Sequence, residues 1–247
     1  VLRIDLLGPL AVSVPGHRGD VGSRKVRTVL ARLALSPGVP VPFEQLVYEL
    51  WGGKEMGNAR NALQANITRL RKILGDADLV RTLGSGYLLD VPPQAVDAHR
   101  FVYLATQGAA RVQRAPKEAV HLLESALRLW RGPALSDVPD GAWCQAEAGR
   151  LNERRLTVRE DLIAARLANS EDRGVLPELK QLVTEHPERE RLSEQLMLAL
   201  YRSGRQSEAL NVFHYTRTRL GNELGLQPSR ALRSLYQAIL VQDVVLG

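Results

Sequence analysis

Two adjacent prolines, Pro92 and Pro93, divide the chain into two hydrophobic textures, and that division constrains the fold more than any other feature. Paired prolines lack backbone donors and can continue neither a helix nor a sheet interior, so a boundary is expected there. Before them, short β-like runs mix with helical periodicity; from about Val96 onward the pattern is helical almost throughout. The length of 247 residues suits two ordinary domains of about 100–150 residues each. Residues 1–92 are therefore read as one domain and 96–247 as a second.

In the first part, "LRIDLLG" and "LAVSV" are apolar stretches broken by Gly8-Pro9 and closed by Pro15-Gly16, which predicts short strands joined by a turn. Ser23 is placed to cap a helix through "RKVRTVLARLAL", whose stripe is Val26, Val29, Leu30, Leu33 and Ala34. Pro37-Gly38 ends it. A second helix, "FEQLVYELWG", stops at Gly52-Gly53, and a third covers Asn61 to Leu74. "LVRTLGSGYLLDV" then predicts a hairpin around Gly84-Ser85-Gly86. Strands, three helices and a hairpin in this order make a winged helix-turn-helix with a small sheet and a C-terminal wing.

The second part predicts an all-α domain, so the chain as a whole is mainly α. "KEAVHLLESALRLW", "LNERRLTVREDLIAARLAN", "RLSEQLMLALYRSG" and "SEALNVFHYTRTRLGNELG" repeat apolar residues every three and four positions. Breaks at Gly132-Pro133, Gly174, Pro187 and Gly204 imply antiparallel neighbours. The stretch from Pro187 to Leu220 resembles a tetratricopeptide repeat, its first helix ending at Ser203-Gly204 and Ala209-Leu210 packing early in its second. Residues 100–131 and 151–186 read as degenerate copies. Stacked helix pairs offer surfaces for proteins rather than for catalysis.

Charge singles out the third helix. The net charge is +6, with 12 Lys/Arg against 8 Asp/Glu in residues 1–92. From Met56 to Gly75 there is no acid, while Arg60, Arg69, Arg71 and Lys72 carry positive charge. A solvated helix face normally mixes signs, because opposite charges four residues apart help to hold it. At about 100° per residue, Leu63, Ile67, Leu70 and Leu74 share one narrow arc. Asn61, Ala65, Thr68 and Lys72 lie opposite, with Gln64 and Arg69 on the flanks and Arg60 and Arg71 nearer the edge. Amide and guanidinium groups suit the edges of adenine and guanine, and small groups suit a thymine methyl. This face is read as one that enters the major groove of DNA.

"LQANITRLRKILG" followed by "VRTLGSGYLLDV" resembles the DNA-binding domain shared by two-component response regulators and the Streptomyces antibiotic regulatory proteins. "LLGPLAV", "VDAHRFVYLA", "EAVHLLESALRLWRGPALSDV" and "GNELGLQPSRALRSLYQAIL" resemble the antibiotic-regulator branch, where the winged helix is fused to a bacterial transcriptional activation domain. The resemblance covers essentially the whole chain. It implies an activator that binds direct repeats near promoters, with a second protomer side by side on the DNA. It further implies recruitment of RNA polymerase, including its sigma factor, to antibiotic biosynthesis genes. By the same resemblance Arg69 is positioned for a base and Arg71 for a phosphate. Relatives often carry an arginine close before the Gly-Tyr of the wing; here Leu83 and Gly84 stand there, and Arg81, further back, is the wing residue expected to meet DNA.

Other residues point to no chemistry. Trp51, Trp130 and Trp143 are read as packing residues, and Tyr87 as the anchor of the wing. His17, His99, His121, His186 and His214 show no metal-ligand spacing, and no cofactor is expected. Cys144, the only cysteine, leaves no disulfide framework and fits a reducing cytoplasm. No phosphate-binding GxxxxGK[ST] loop and no GxSxG elbow occurs, so no enzyme is expected. No apolar run reaches the roughly 18–20 residues of a membrane span. A chain beginning at Val1 is expected to lack its native start. The alternative to an activator is a helical-repeat adaptor that binds protein or RNA.

Overall fold

The computed structural model describes residues 2–14, 17–19, 21–52, 57–139 and 141–243. The Pro15-Gly16 turn and Gly53, both named above as stop signals, lie outside the described residues. The chain packs as two compact units, Val1–Thr106 with Glu124–Thr157, and Gln107–Leu123 with Val158–Gly247.

In the first unit, β1 (Arg3–Asp5) pairs antiparallel with β2 (Ala11–Val14), with Ile4 opposite Val12. A third strand, β3 (His17–Gly19), extends this sheet in the order β1-β2-β3 and was not expected from the sequence. Three residues with one polar-looking partner give too short a run for alternation to show. Helix α1 (Arg24–Ala34) buries Val26, Val29, Leu30, Leu33 and Ala34, the stripe expected of it. Ser23 stands at its N-cap position but makes no side-chain capping bond. Two-residue β4 (Val41–Pro42) leads into α2 (Phe43–Trp51), which ends with Gly52 in the left-handed region at φ 66°. Then come α3 (Ala59–Leu74) and the hairpin β5 (Val80–Leu83) and β6 (Gly86–Leu89). The second sheet has the order β4-β6-β5, which makes β5 an edge strand. Helices α1, α2 and α3 pack on one another, and α1 also packs on β6.

The loop between β1 and β2 is held by residues far along the chain. Leu6 and Leu7 donate their N–H groups to the Asp97 carboxylate at 2.7 and 3.0 Å. Their carbonyls accept from the N–H groups of Leu135 at 2.9 Å and Arg131 at 2.7 Å. Asp137 accepts from the Leu10 N–H at 2.6 Å and from the Arg27 guanidinium at 2.9 Å. Gly8, at φ 145°, sits in this clasp, where a Cβ would come within 3.0 Å of the Arg131 Cβ. Trp130 is buried edge-on to Phe101 at 5.3 Å, and the lone Cys144 is buried too.

The helices that follow are α4 (Asp97–Ala109), α5 (Pro116–Leu127), α6 (Ala142–Ala168), α7 (Asp172–Glu185), α8 (Glu190–Arg202), α9 (Gln206–Arg219) and α10 (Arg230–Leu240), with a π-helical turn at Leu220–Leu224. Within the second unit, α8 packs against α7, α9 and α10. Helix α8 ends at Arg202, and Gly204 at φ 79° turns the chain, as the repeat-like pattern predicts. Ala209 is buried in α9, whereas Leu210 is only half-buried. Gly174 does not break the chain: it lies in the first turn of α7. The break comes earlier, at Ser170 with φ 61°. The N–H of Glu171 bonds the Arg166 carbonyl and that of Ser170 the Leu167 carbonyl, both at 3.0 Å, a Schellman stop built without glycine. The architecture is thus mainly α, a winged helix-turn-helix with small sheets and a hairpin wing followed by tetratricopeptide-like helices.

Candidate nucleic-acid interface

Helix α3 follows Asn58, carries no acid in its first turn, and stops where Gly75 turns left-handed at φ 74°. Leu63, Ile67 and Leu70 are fully buried, and Leu74 nearly so, against the other helices of the unit. That burial fixes the rotation of the helix and so decides which side chains face outward. Arg60, Asn61, Gln64, Ala65, Thr68, Arg69 and Lys72 are all exposed. Asn66, between them in sequence, is buried and donates to the Ala62 carbonyl at 2.8 Å.

The exposed groups differ in how they are held. Arg69 and Lys72 form no hydrogen bond or ion pair with another described residue and project as uncompensated charges. The Thr68 hydroxyl donates back to the Gln64 carbonyl at 3.0 Å, which leaves its oxygen lone pairs outward. Arg60 lays its guanidinium over the Phe43 ring, 5.0 Å from the centroid. A cation over a ring face is attracted by the ring quadrupole. A small cleft of about 180 Å³ opens beside it, lined by Phe43, Gln64, Thr82, Leu83 and Tyr87 among others. Phe43 had no signal in the sequence as a support for this charge.

The wing is a two-residue hairpin in which Leu83 faces Gly86, Thr82 faces Tyr87, Arg81 faces Leu88 and Val80 faces Leu89. Gly86 has a steric reason: a Cβ there would stand 2.0 Å from the Val41 carbonyl oxygen of β4. Tyr87 is buried, as expected of an anchor. Arg81 is exposed on β5 and pairs with Asp90 at 3.3 Å. An exposed pair of this kind is weak, so the arginine is easily drawn to another anion.

Arg71 differs from the rest. It is half-buried, and its Nε and Nη2 donate to the Val80 carbonyl at 3.0 and 2.6 Å, with Nη2 also donating to Thr82 Oγ1 at 2.9 Å. Of the residues expected to contact DNA, the structure therefore brings Arg60, Asn61, Gln64, Thr68, Arg69, Lys72 and Arg81 to the outer surface and ties Arg71 to the wing. Thr82 was missed by the sequence reading, because its partner lies eleven positions back on another element.

Residues 21–89 match the family described as transcriptional regulatory protein, C terminal, and residues 96–240 match the bacterial transcriptional activator domain. The transcriptional regulator RedD of Streptomyces coelicolor is 44% identical over 99% of this chain and 72% of its own length. The chain belongs to the Streptomyces antibiotic regulatory protein family. Within that family the regulatory protein DnrI of Streptomyces peucetius is 40% identical, over 98% of this chain and 93% of its own. A solved structure of Mycobacterium tuberculosis EmbR, in complex with a low affinity phosphopeptide, superposes with a TM-score of 0.92 at 34% identity, covering 98% of this chain and 65% of that one. These relatives are transcriptional regulators, and this chain, by its family, is a transcriptional regulator and not an enzyme. Among the described residues no group of His, Cys, Asp or Glu is arranged to hold a metal, and no helix is long and apolar enough to cross a membrane.

Proposed function

We propose that residues 1–92 form the DNA-binding domain and residues 96–247 the activation domain of an activator that reads direct repeats near promoters in the bacterial cytoplasm. Helix α3 enters the major groove, with Arg69 on a guanine edge and Asn61, Gln64 and Thr68 toward neighbouring bases. Lys72, Arg60 and Arg81 meet phosphates, which position the protein without specifying sequence. A second protomer lies side by side on the next repeat. Repeats about 10–10.5 base pairs apart, or a multiple, put both protomers on one face of the duplex. Direct repeats call for a head-to-tail arrangement rather than a two-fold one. The helical part recruits RNA polymerase with its sigma factor, and the genes controlled belong to secondary metabolism.

The observation that carries this reading is the acid-free outer face of α3, where Arg69 and Lys72 are exposed and unpaired among the described residues. Selection of duplexes from a random-sequence pool tests it and yields the repeat and its spacing. On the enriched duplex, Arg69→Ala should cost about 1–3 kcal/mol and relax preference at one position. Lys72→Ala should weaken all sequences alike and lower the log–log salt slope by about one unit. If nothing enriches, and mixed duplex is retained only weakly and lost to competitor, the chain is a protein- or RNA-binding adaptor instead.

A further inference from the structure

We infer that Arg71 is a positioning residue that locks the wing to the recognition helix, rather than a phosphate ligand. The inference rests on the reading of α3 and the wing as the DNA-binding face. The resemblance assigns this arginine to a phosphate, but the geometry commits it elsewhere.

The reason lies in the ladder of the wing. The Asp90 N–H bonds the Leu79 carbonyl at 2.8 Å, so residues 79 and 90 are a hydrogen-bonded pair. Pairs alternate along an antiparallel ladder, so the next one, Val80 with Leu89, exchanges no cross-strand bonds. The Val80 carbonyl therefore points away from β6, out of the edge of the sheet. Val80 is fully buried, so water cannot satisfy that carbonyl. Arg71 reaches it with two donors and takes the Thr82 hydroxyl with a third. Three of the five guanidinium N–H groups are thereby used. The fork spans two alternate residues of β5, which share one side of the strand, so it sets both the distance and the tilt of the hairpin against α3. A lysine carries the same charge but cannot make this planar, two-point contact.

The test combines amide exchange without DNA and salt titration with it. In the free 247-residue chain, Arg71→Ala and Arg71→Lys should both speed exchange of the wing amides at Arg81, Leu83 and Leu88 by about tenfold, the scale of a lost charged hydrogen bond. Thr82→Val, which changes no charge, should do so to a smaller degree. On the enriched duplex, all three should bind more weakly while keeping the wild-type salt slope. Arg71→Lys should fail to rescue Arg71→Ala. Unchanged wing exchange in Arg71→Ala, with a slope reduced by about one unit and restored by Arg71→Lys, would overturn the inference and return the residue to a phosphate. Failure of the DNA-binding reading shows differently, as a wild-type chain that enriches no duplex, and leaves the exchange result standing.

Discussion

At Gly86 a single methyl group would stand 2.0 Å from a carbonyl oxygen and 3.0 Å from the Pro42 Cα. Both obstacles are backbone, so neither can swing aside. Gly86→Ala should separate β4 from β6 and destabilise the first unit by about 3 kcal/mol, read from the midpoint of denaturant unfolding. A midpoint unchanged from wild type would mean that the strands tolerate a wider spacing. Asp97 is a second position where one side chain carries tertiary structure. Burial pushes its carboxyl up to about 6, and the two N–H donors from Leu6 and Leu7 oppose that shift without cancelling it. Because the folded value exceeds the ordinary 3.8, the native state keeps a proton that the unfolded chain releases. Stability from this group therefore falls as pH rises from about 4 to about 6, by on the order of 2–3 kcal/mol, and is flat above that window. Unfolding measured across pH in wild type and Asp97→Asn should show this slope in the first and not in the second.

The elements show how far local pattern reaches. The faces of α1 and α3 follow from their spacing alone, because a stripe of Val, Ile and Leu at three- and four-residue intervals has only one way to be buried. Boundaries followed less closely. The chain reverses after α6 at Ser170, although the nearby glycine is Gly174, which sits inside α7. The same pair of closing bonds ends α8, where Gly204 takes the left-handed position. A serine there bears the cost of a Cβ in that region, which a glycine avoids. Ser170→Gly should stabilise the second unit by about 0.5–1 kcal/mol in thermal unfolding, part of the gain being offset by greater freedom of the unfolded chain. A fall in stability would show that the serine side chain contributes more than its conformation costs.

For the molecule as a whole, the boundary at Pro92-Pro93 falls inside a packed unit that takes in Glu124–Thr157 as well as the wing. Three segments, "LLGPL", "VDAHRF" and "RGPALSDV", meet in one clasp around Gly8, up to 127 positions apart in sequence. A fragment of residues 1–92 loses Asp97, Arg131, Leu135 and Asp137 and leaves the β1–β2 loop without partners. Its amides at Leu6, Leu7 and Leu10 should exchange far faster than in the full chain, by about tenfold or more for each buried bond lost. Equal protection in both would show that the clasp is dispensable. The winged-helix order, the tetratricopeptide-like pairs, the buried stripe of α3 and hence its acid-free outer face were legible in the residues alone, since all of these follow from local periodicity and charge. That Arg71 serves the wing, that Gly86 clears a path for β4 and that Asp97 holds the N-terminal loop emerge only once the elements are packed. Each of those depends on a contact between elements distant in sequence, and such contacts, steric or hydrogen-bonded, leave no period in the chain to be read.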